Sequence, residues 1–504
     1  MRPSALFLLP VLVVAHDLHY NLHARQAPPS ASLPSTSAAS AAPTGSGSPT
    51  LSPPPTVPVT LQSTNPTAVP LSQITANETS QPTIALQSTF AAGSIPTGIP
   101  GAPPLPNAAA LVPANYPPLD KTPPTDSPQV QQWIQQVAST GISIPNISVT
   151  TGAAACSANP AAAADTSRCW WTCGGCTRPS DITTCPDKLT WGLTYDDGPG
   201  FYTPNLLQYL DSQNLKTTFF VIGSRALGAP FTLQTEYMSG HQIGVHTWSH
   251  PPLTTMTNEQ IIAELGWTKQ VIKDITGLTP NTFRPPYGDI DDRVRAIALA
   301  MGLTPIIWTR LSPVATFDTG DFNINGGTIS SSQVIVNFEN IIANATTINT
   351  GFIVLEHDLF EQTVQLATGY ILPEALAHNP AFSLKPVINC LNKPLSDAYV
   401  ETNNNSTNPP PGGVSKSFPL FFRQRTNRLT CIYRLCGCDT LIGCFWLQPS
   451  HWIGGGEVRW NVDGWPPFGH DVYRVGHWHG RFNRWYCYRA VLRDLSLVIC
   501  IPPY

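Results

Sequence analysis

Two carboxylates stand side by side at Asp196 and Asp197, at the end of the apolar run Leu189–Tyr195 (LTWGLTY). Adjacent ionised carboxylates repel each other unless a cation or an arginine offsets the charge, and a turn has no need of the pair. Downstream, His246 and His250 are separated by three residues, a spacing that lets two imidazoles meet one cation. Each feature alone is weak, because DDGP is good turn chemistry and a histidine pair is as readily structural. Together they make two neutral nitrogens and one carboxylate, a ligand set for a catalytic zinc-type ion with a position left open for water. One carboxylate can then bind metal while the other takes a proton from water. The chemistry implied is metal-assisted hydrolysis.

For that chemistry the chain must bring distant residues to one place. Leu189–Tyr195, Thr217–Ile222 (TTFFVI), Gln242–Val245, Thr304–Trp308 (TPIIW) and Phe352–Leu355 (FIVL) read as buried strands. Helical patterns lie between them. Thr203-Pro204 reads as an N-cap with proline at the first helical position, and Thr257 with Gln260 as a capping box. Gly277 and Pro280 end the second of these helices. Alternating strands and helices predict a parallel α/β fold, and roughly 200 residues is room for a barrel. Asp196-Asp197, His246 and His250, and His357-Asp358 each follow a predicted strand, where active sites of such folds sit. Asp289, Asp291 and Asp292 are expected to cap the helix beginning near Arg293 rather than to bind metal. Trp170 and Trp171 are expected in the core.

The bulk composition limits the rest. Only 12% of the 504 residues are charged, 52 are proline, and the net charge is −4, which gives no reason to expect nucleic acid. Residues 1–15 read as a signal peptide, with Arg2 before the apolar Ala5–Ala15 and Val13-Val14-Ala15 as the cleavage site. About 11 apolar residues are too few for a span, which needs ~20. Secretion fits the Asn-x-Ser/Thr acceptors Asn77, Asn146, Asn344, Asn404 and Asn405. It also makes Cys156, Cys169, Cys173, Cys176, Cys185 and Cys390 disulfide candidates, with their pairing open. Residues 16–155 are rich in Ser, Thr, Pro and Ala and are expected to be a disordered stalk. A cysteine-rich segment (156–188), a catalytic domain (189–395) and a linker (396–413) follow.

Residues 414–504 carry six cysteines, six of the 13 tryptophans and a balance of +6, whereas the rest of the chain carries −10. This tail is either a disulfide-stapled, carbohydrate-binding module or a product of an intron read through or a shifted frame, and the second reading is preferred.

Thr194-Tyr195-Asp196-Asp197-Gly198-Pro199 resembles the first motif of the polysaccharide deacetylases (carbohydrate esterase family 4, the NodB-homology domain). His246–His250 is similar to the second, Arg284-Pro285-Pro286-Tyr287 to the third and Leu355-Glu356-His357 to the fifth, in the family's order and at its spacing. The wording around them (CWWTC, HTWSHPPLTT, RPPYGDIDDRVR) looks like the fungal chitin deacetylases. The resemblance implies a distorted (β/α) barrel of the NodB type and one divalent ion, zinc or cobalt, on Asp197, His246 and His250. It makes Asp196 the base, Arg284 the residue that orients it, His357 the acid, and the Tyr287 backbone N–H an oxyanion donor. Leu355 would line the acetyl pocket. The fourth motif departs from the family's Asp-x-x-Asp-Trp: Asp318-Thr-Gly-Asp321-Phe322 keeps an acid, Asp321, to tune His357, and replaces the tryptophan with Phe322. A monomer acting on chitin or its oligomers is implied, at the cell wall or the outer face of the plasma membrane. Relatives commonly carry a GPI signal, and none is visible in this sequence.

Overall fold

The computed structural model of the chain describes residues 60–403 and, beyond them, only strand residues of the C-terminal stretch. The expected signal peptide, Asn404, Asn405 and most of the tail lie outside the described residues. The chain divides at Pro419 into two units. In the second, described strands such as Trp485–Leu492 and Leu495–Ile501 pair antiparallel.

In the first unit the strands β1 (Thr190–Gly192), β2 (Thr194–Asp196), β3 (Thr218–Val221), β4 (Gln242–Val245), β5 (Thr282–Phe283), β6 (Thr304–Pro305), β7 (Phe352–Ile353) and β8 (Ser383–Lys385) form two parallel sheets. One runs β2-β3-β4-β5-β6 and the other β7-β1-β8. The single strand expected over Leu189–Tyr195 is two strands. Leu193 donates its N–H to Lys385 of β8 and accepts from Thr218 of β3, so the chain changes sheet at that residue. Single parallel bridges, Asp196 with His357, Ile182 with Ile306 and Asp318 with Leu355, link the ladders. The expected barrel is therefore seen as two parallel sheets joined at isolated bridges. Trp191, Tyr195, Phe219, Phe220, Phe283 and Phe352 on the strands are fully buried, which accounts for the unbroken apolar runs.

The helices that position the site are α1 (Pro128–Ser139), α2 (Thr203–Ser212), α3 (Asn258–Thr276), α4 (Asp292–Ala300) and α5 (Ser331–Thr347). The Thr257–Gln260 capping box and the left-handed Gly277 bound α3 as the sequence predicts. At α2 the cap residue is Tyr202, not Thr203, because the Thr203 hydroxyl is engaged elsewhere: it accepts from Gly200 N–H and bonds Asp358 Oδ2 at 2.5 Å. Asp291 caps α4 through Val294 N–H. Asp289 instead accepts from Trp170, Thr172 and Thr254, tying the cysteine-rich segment to the domain.

Trp170 and Trp171 are buried. Among the described residues three disulfides form, Cys156–Cys173, Cys169–Cys176 and Cys185–Cys390. Asn77 and Asn146 are exposed, and Asn344 on α5 is half-buried.

The expected stalk is corrected over residues 60–155; its residues 16–59 lie outside the described residues. Residues 60–155 run along the α/β domain as a strap, anchored by buried Ile74, Ile99, Leu105, Val130 and Val137. Backbone groups bond outward to the domain, as in Asn65 N–H to Gly369 and Ser63 N–H to Glu374. Extended Pro-rich chain leaves its polar groups free for such partners, so sparse apolar anchors suffice.

Candidate metal centre

The polar residues that follow β2, β4 and β7 converge, and the Asp196–His357 bridge brings the first and last of them together. Asp197, His246 and His250 form the group of ligand-type side chains whose donor atoms lie within 4.8 Å of one another. Asp197 Oδ1 is 3.3 Å from His246 Nε2 and 3.2 Å from His250 Nε2. It is buried and makes no hydrogen bond. His246 Nδ1 lies 2.8 Å from the Arg284 carbonyl, which can only accept, so that nitrogen carries the proton. In the neutral ring Nε2 then turns a lone pair towards an orphaned carboxylate oxygen, and a cation between them satisfies both. The residues fit a divalent metal. Burial pushes the His250 imidazole down to about 4, with Asp197 opposing, which keeps it in its ligating neutral form. Burial raises Asp197, but His250 and His246 outweigh it and hold the carboxyl far below its usual range.

The backbone at this point is strained. Asp197, Thr247, His250 and Tyr287 all have positive φ, between 59° and 76°. Each costs of order 1–3 kcal/mol and persists because its surroundings fix it. Asp197 N–H donates to Phe220, and His250 N–H to the Thr247 hydroxyl. Gly198 has no room for a side chain, since a Cβ would fall on the Asp358 carboxylate.

Asp196 turns one oxygen to the edge of this trio, with Oδ2 3.8 Å from His246 Nε2, and the other to Arg284. Its Oδ1 takes a 2.8 Å bond from Arg284 Nη1, which also donates to Thr194 Oγ1 at 2.8 Å. Arg284 is fully buried and lies over the Phe220 ring at 4.4 Å. Burial raises the Asp196 carboxyl above its ordinary value, and Arg284 and His246 pull against it.

Across the site, His357 Nδ1 is 2.7 Å from Asp321 Oδ1, and His357 N–H donates to Asp321 Oδ2 at 2.9 Å. Burial would lower this imidazole, yet Asp321, by charge and hydrogen bond, carries it up to about 10. Phe322 lies against the His357 ring at 5.1 Å, in an aromatic wall shared with Phe360. Asp318 accepts from Gly320 N–H and shapes the turn, leaving Asp321 to face the histidine. Leu355 is buried beside Asp318, and exposed Tyr287 packs edge-on against His250 at 4.7 Å.

Two residues here escape sequence reasoning. Glu264, in the middle of α3, accepts from the N–H groups of Trp248 and Ser249 and from the Ser249 hydroxyl, and so holds the loop between the two histidines. Its position on the buried face of an amphipathic helix was the available signal. Asp358 lies against the Asp197-Gly198 turn, and burial raises it to about 7. The sequence places it beside His357 after a predicted strand but gives it no role.

A family model described as polysaccharide deacetylase matches residues 183–306. Chitin deacetylase 1 of Cryptococcus neoformans var. grubii is 55% identical over 357 residues, 70% of this chain and 74% of that protein. A chitin deacetylase of Amylomyces rouxii is 40% identical over 244 residues, 47% of this chain and 56% of that protein. The chain thus spans about three quarters of the first relative and about half of the second. The solved chitin deacetylase of Colletotrichum lindemuthianum is 24% identical, covering 44% of this chain and 95% of that one, with a TM-score of 0.38.

Proposed function

Because the chain belongs to the polysaccharide deacetylase family, we propose that it is a secreted chitin deacetylase that hydrolyses N-acetyl groups of cell-wall chitin to free amine and acetate. The observation that carries this reading is the pairing of two separate proton carriers across one ligand trio. Asp196 is held by Arg284, and His357 is held by Asp321. An ester can lose its alkoxide with little help, but an amide needs its nitrogen protonated as it departs, so both a base and an acid are required.

In this reading Asp197, His246 and His250 hold a divalent ion, zinc or cobalt. When bound, that ion supplies Lewis acidity to the acetyl carbonyl and lowers the pKa of water. Asp196 takes the proton from water as it attacks. Arg284 fixes that carboxylate through Nη1 on Oδ1 and leaves Oδ2 facing the trio, 3.8 Å from His246 Nε2. The Tyr287 backbone N–H steadies the developing oxyanion. His357, kept protonated by Asp321, delivers its proton to the sugar nitrogen. Leu355 borders the space for the acetyl methyl, and Phe322 offers an aromatic face to a sugar ring. The two sheets and their bridges act as one distorted (β/α) barrel that presents these groups at its strand ends.

Acetate release from chitin oligomers, acetyl xylan and peptidoglycan, with zinc or cobalt added and after chelation, tests the reading. Metal-dependent release from chitin is expected. Preferential release from another polymer would move the substrate, and tight chitin binding without acetate would replace catalysis with wall binding.

A further inference from the structure

The N-terminal strap reaches the loop that carries two of the ligand-type histidines. Trp248 stands between the ligands His246 and His250 and is fully buried. Its indole N–H donates to the Pro118 carbonyl at 3.0 Å, and its ring stacks on Tyr116 with centroids 6.3 Å apart and planes at 4°. Tyr116 is itself fixed. Its hydroxyl donates to Asp274 Oδ2 at 2.7 Å, and its ring meets the edge of Trp267, both on α3. Two residues beyond Pro118, Asp120 accepts from the Ser224 hydroxyl, while Ser224 N–H donates to the Trp248 carbonyl. From the other side, Glu264 of α3 binds the loop's N–H groups.

The His246–His250 loop is therefore gripped between α3 and the strap. It needs that grip, because Thr247 and His250 both hold left-handed backbone that a free loop would relax. The strap supplies no ligand, yet it fixes the one side chain lying between two of them. Trp133 of α1 adds to the docking by packing on Gly266, where a Cβ would strike its ring, and on the edge of Trp267.

We propose that Tyr116–Asp120 is a positioning element of the metal centre, gripping Trp248 so that His246 and His250 are held ready for the ion. This rests on the metal reading above but not on its substrate.

The test is the zinc dissociation constant of the full chain, by competition with a chromophoric chelator, beside the melting temperature of the metal-free protein. Trp248→Phe keeps a buried ring and deletes the bond to Pro118; Tyr116→Ala deletes the stack. Both are expected to weaken zinc binding about tenfold, the scale of losing a supporting contact around a ligand. Tyr116→Phe, which keeps the stack, should recover most of that loss. Leu105→Ala, a strap anchor that does not touch the loop, should lower the melting temperature and leave zinc affinity unchanged.

Zinc binding by Trp248→Phe and Tyr116→Ala equal to wild type, whatever their melting temperatures, would overturn the proposal, as would equal weakening by Leu105→Ala. If Tyr116→Ala does not fold, Trp248→Phe decides alone. A wild-type chain without zinc affinity overturns both this and the metal reading. Zinc binding without acetate release overturns the proposed activity alone.

Discussion

Asp196 and Asp197 are neighbours with different surroundings, and the proposed mechanism gives them different work. Asp197 Oδ1 faces two imidazole nitrogens, whereas Asp196 Oδ1 has a buried guanidinium. Asp196→Asn should therefore leave zinc bound and cut kcat by about 10²–10⁴, the usual share of a general base. Asp197→Asn should lose zinc first. Metal content and acetate release measured on both variants check this, and the reverse pattern would exchange the roles. The acid has its own signature in pH. In the proposed mechanism Asp196 must be ionised, so activity is expected to rise with pH through a carboxyl value lifted by burial. His357 must stay protonated, so activity falls as pH climbs through its value of about 10. In Asp321→Asn the upward pull of the carboxylate is gone and the downward pull of burial remains, so the alkaline limb should move to lower pH. A limb that does not move in the kcat profile would remove His357 as the acid.

Among the elements, α3 carries more of the site than its sequence suggests, because Glu264 on it ties down the loop of the two histidines. Its N-terminus is closed by the Thr257–Gln260 box. Thr257→Ala is expected to cost about 1 kcal/mol in urea unfolding, with metal affinity little changed since the cap lies two turns from Glu264. That box was legible from sequence because capping is local: a hydroxyl and an amide three residues apart suffice. β3 and β4 were legible for a similar reason, being short buried segments that carry Phe219, Phe220 and Val221 or Ile243 and Val245. β5 was not, since Thr282-Phe283 lies between Asn281 and Arg284 and belongs to no apolar run. Nor was the break at Leu193, which is set by partners at Lys385 and Thr218 rather than by anything in LTWGLTY. The metal trio could be read because its residue types and order are restrictive. Glu264 could not, because one more acidic residue on a helix is ordinary until its partners are known.

At the scale of the whole molecule the strap changes what counts as the catalytic unit. A sequence of Pro, Ala, Ser and Thr suggests a spacer, and its composition alone cannot show that Ile74, Ile99, Leu105, Val130 and Val137 each find a buried place on the domain. Burying an aliphatic side chain is worth about 1.5–3 kcal/mol before the entropy of ordering the chain is subtracted. The strap's surplus is thus smaller than the sum of its anchors, but its removal acts on the domain as well. It uncovers the apolar surface those residues cover and releases Trp248 from Pro118. A chain beginning at Cys156 keeps every proposed catalytic residue and all three disulfides. Even so, it should melt several degrees lower than the longer chain, since domains are stable by only about 5–15 kcal/mol. It should also bind more of a dye that reports exposed apolar surface. Calorimetry and dye fluorescence of the two chains, each with and without zinc, separate the outcomes. Equal melting temperatures and equal dye binding would make the strap a passenger. A lower melting temperature that saturating zinc largely restores would show that strap and metal stabilise the same loop, because a ligand bound by the folded state alone stabilises it in proportion to its affinity.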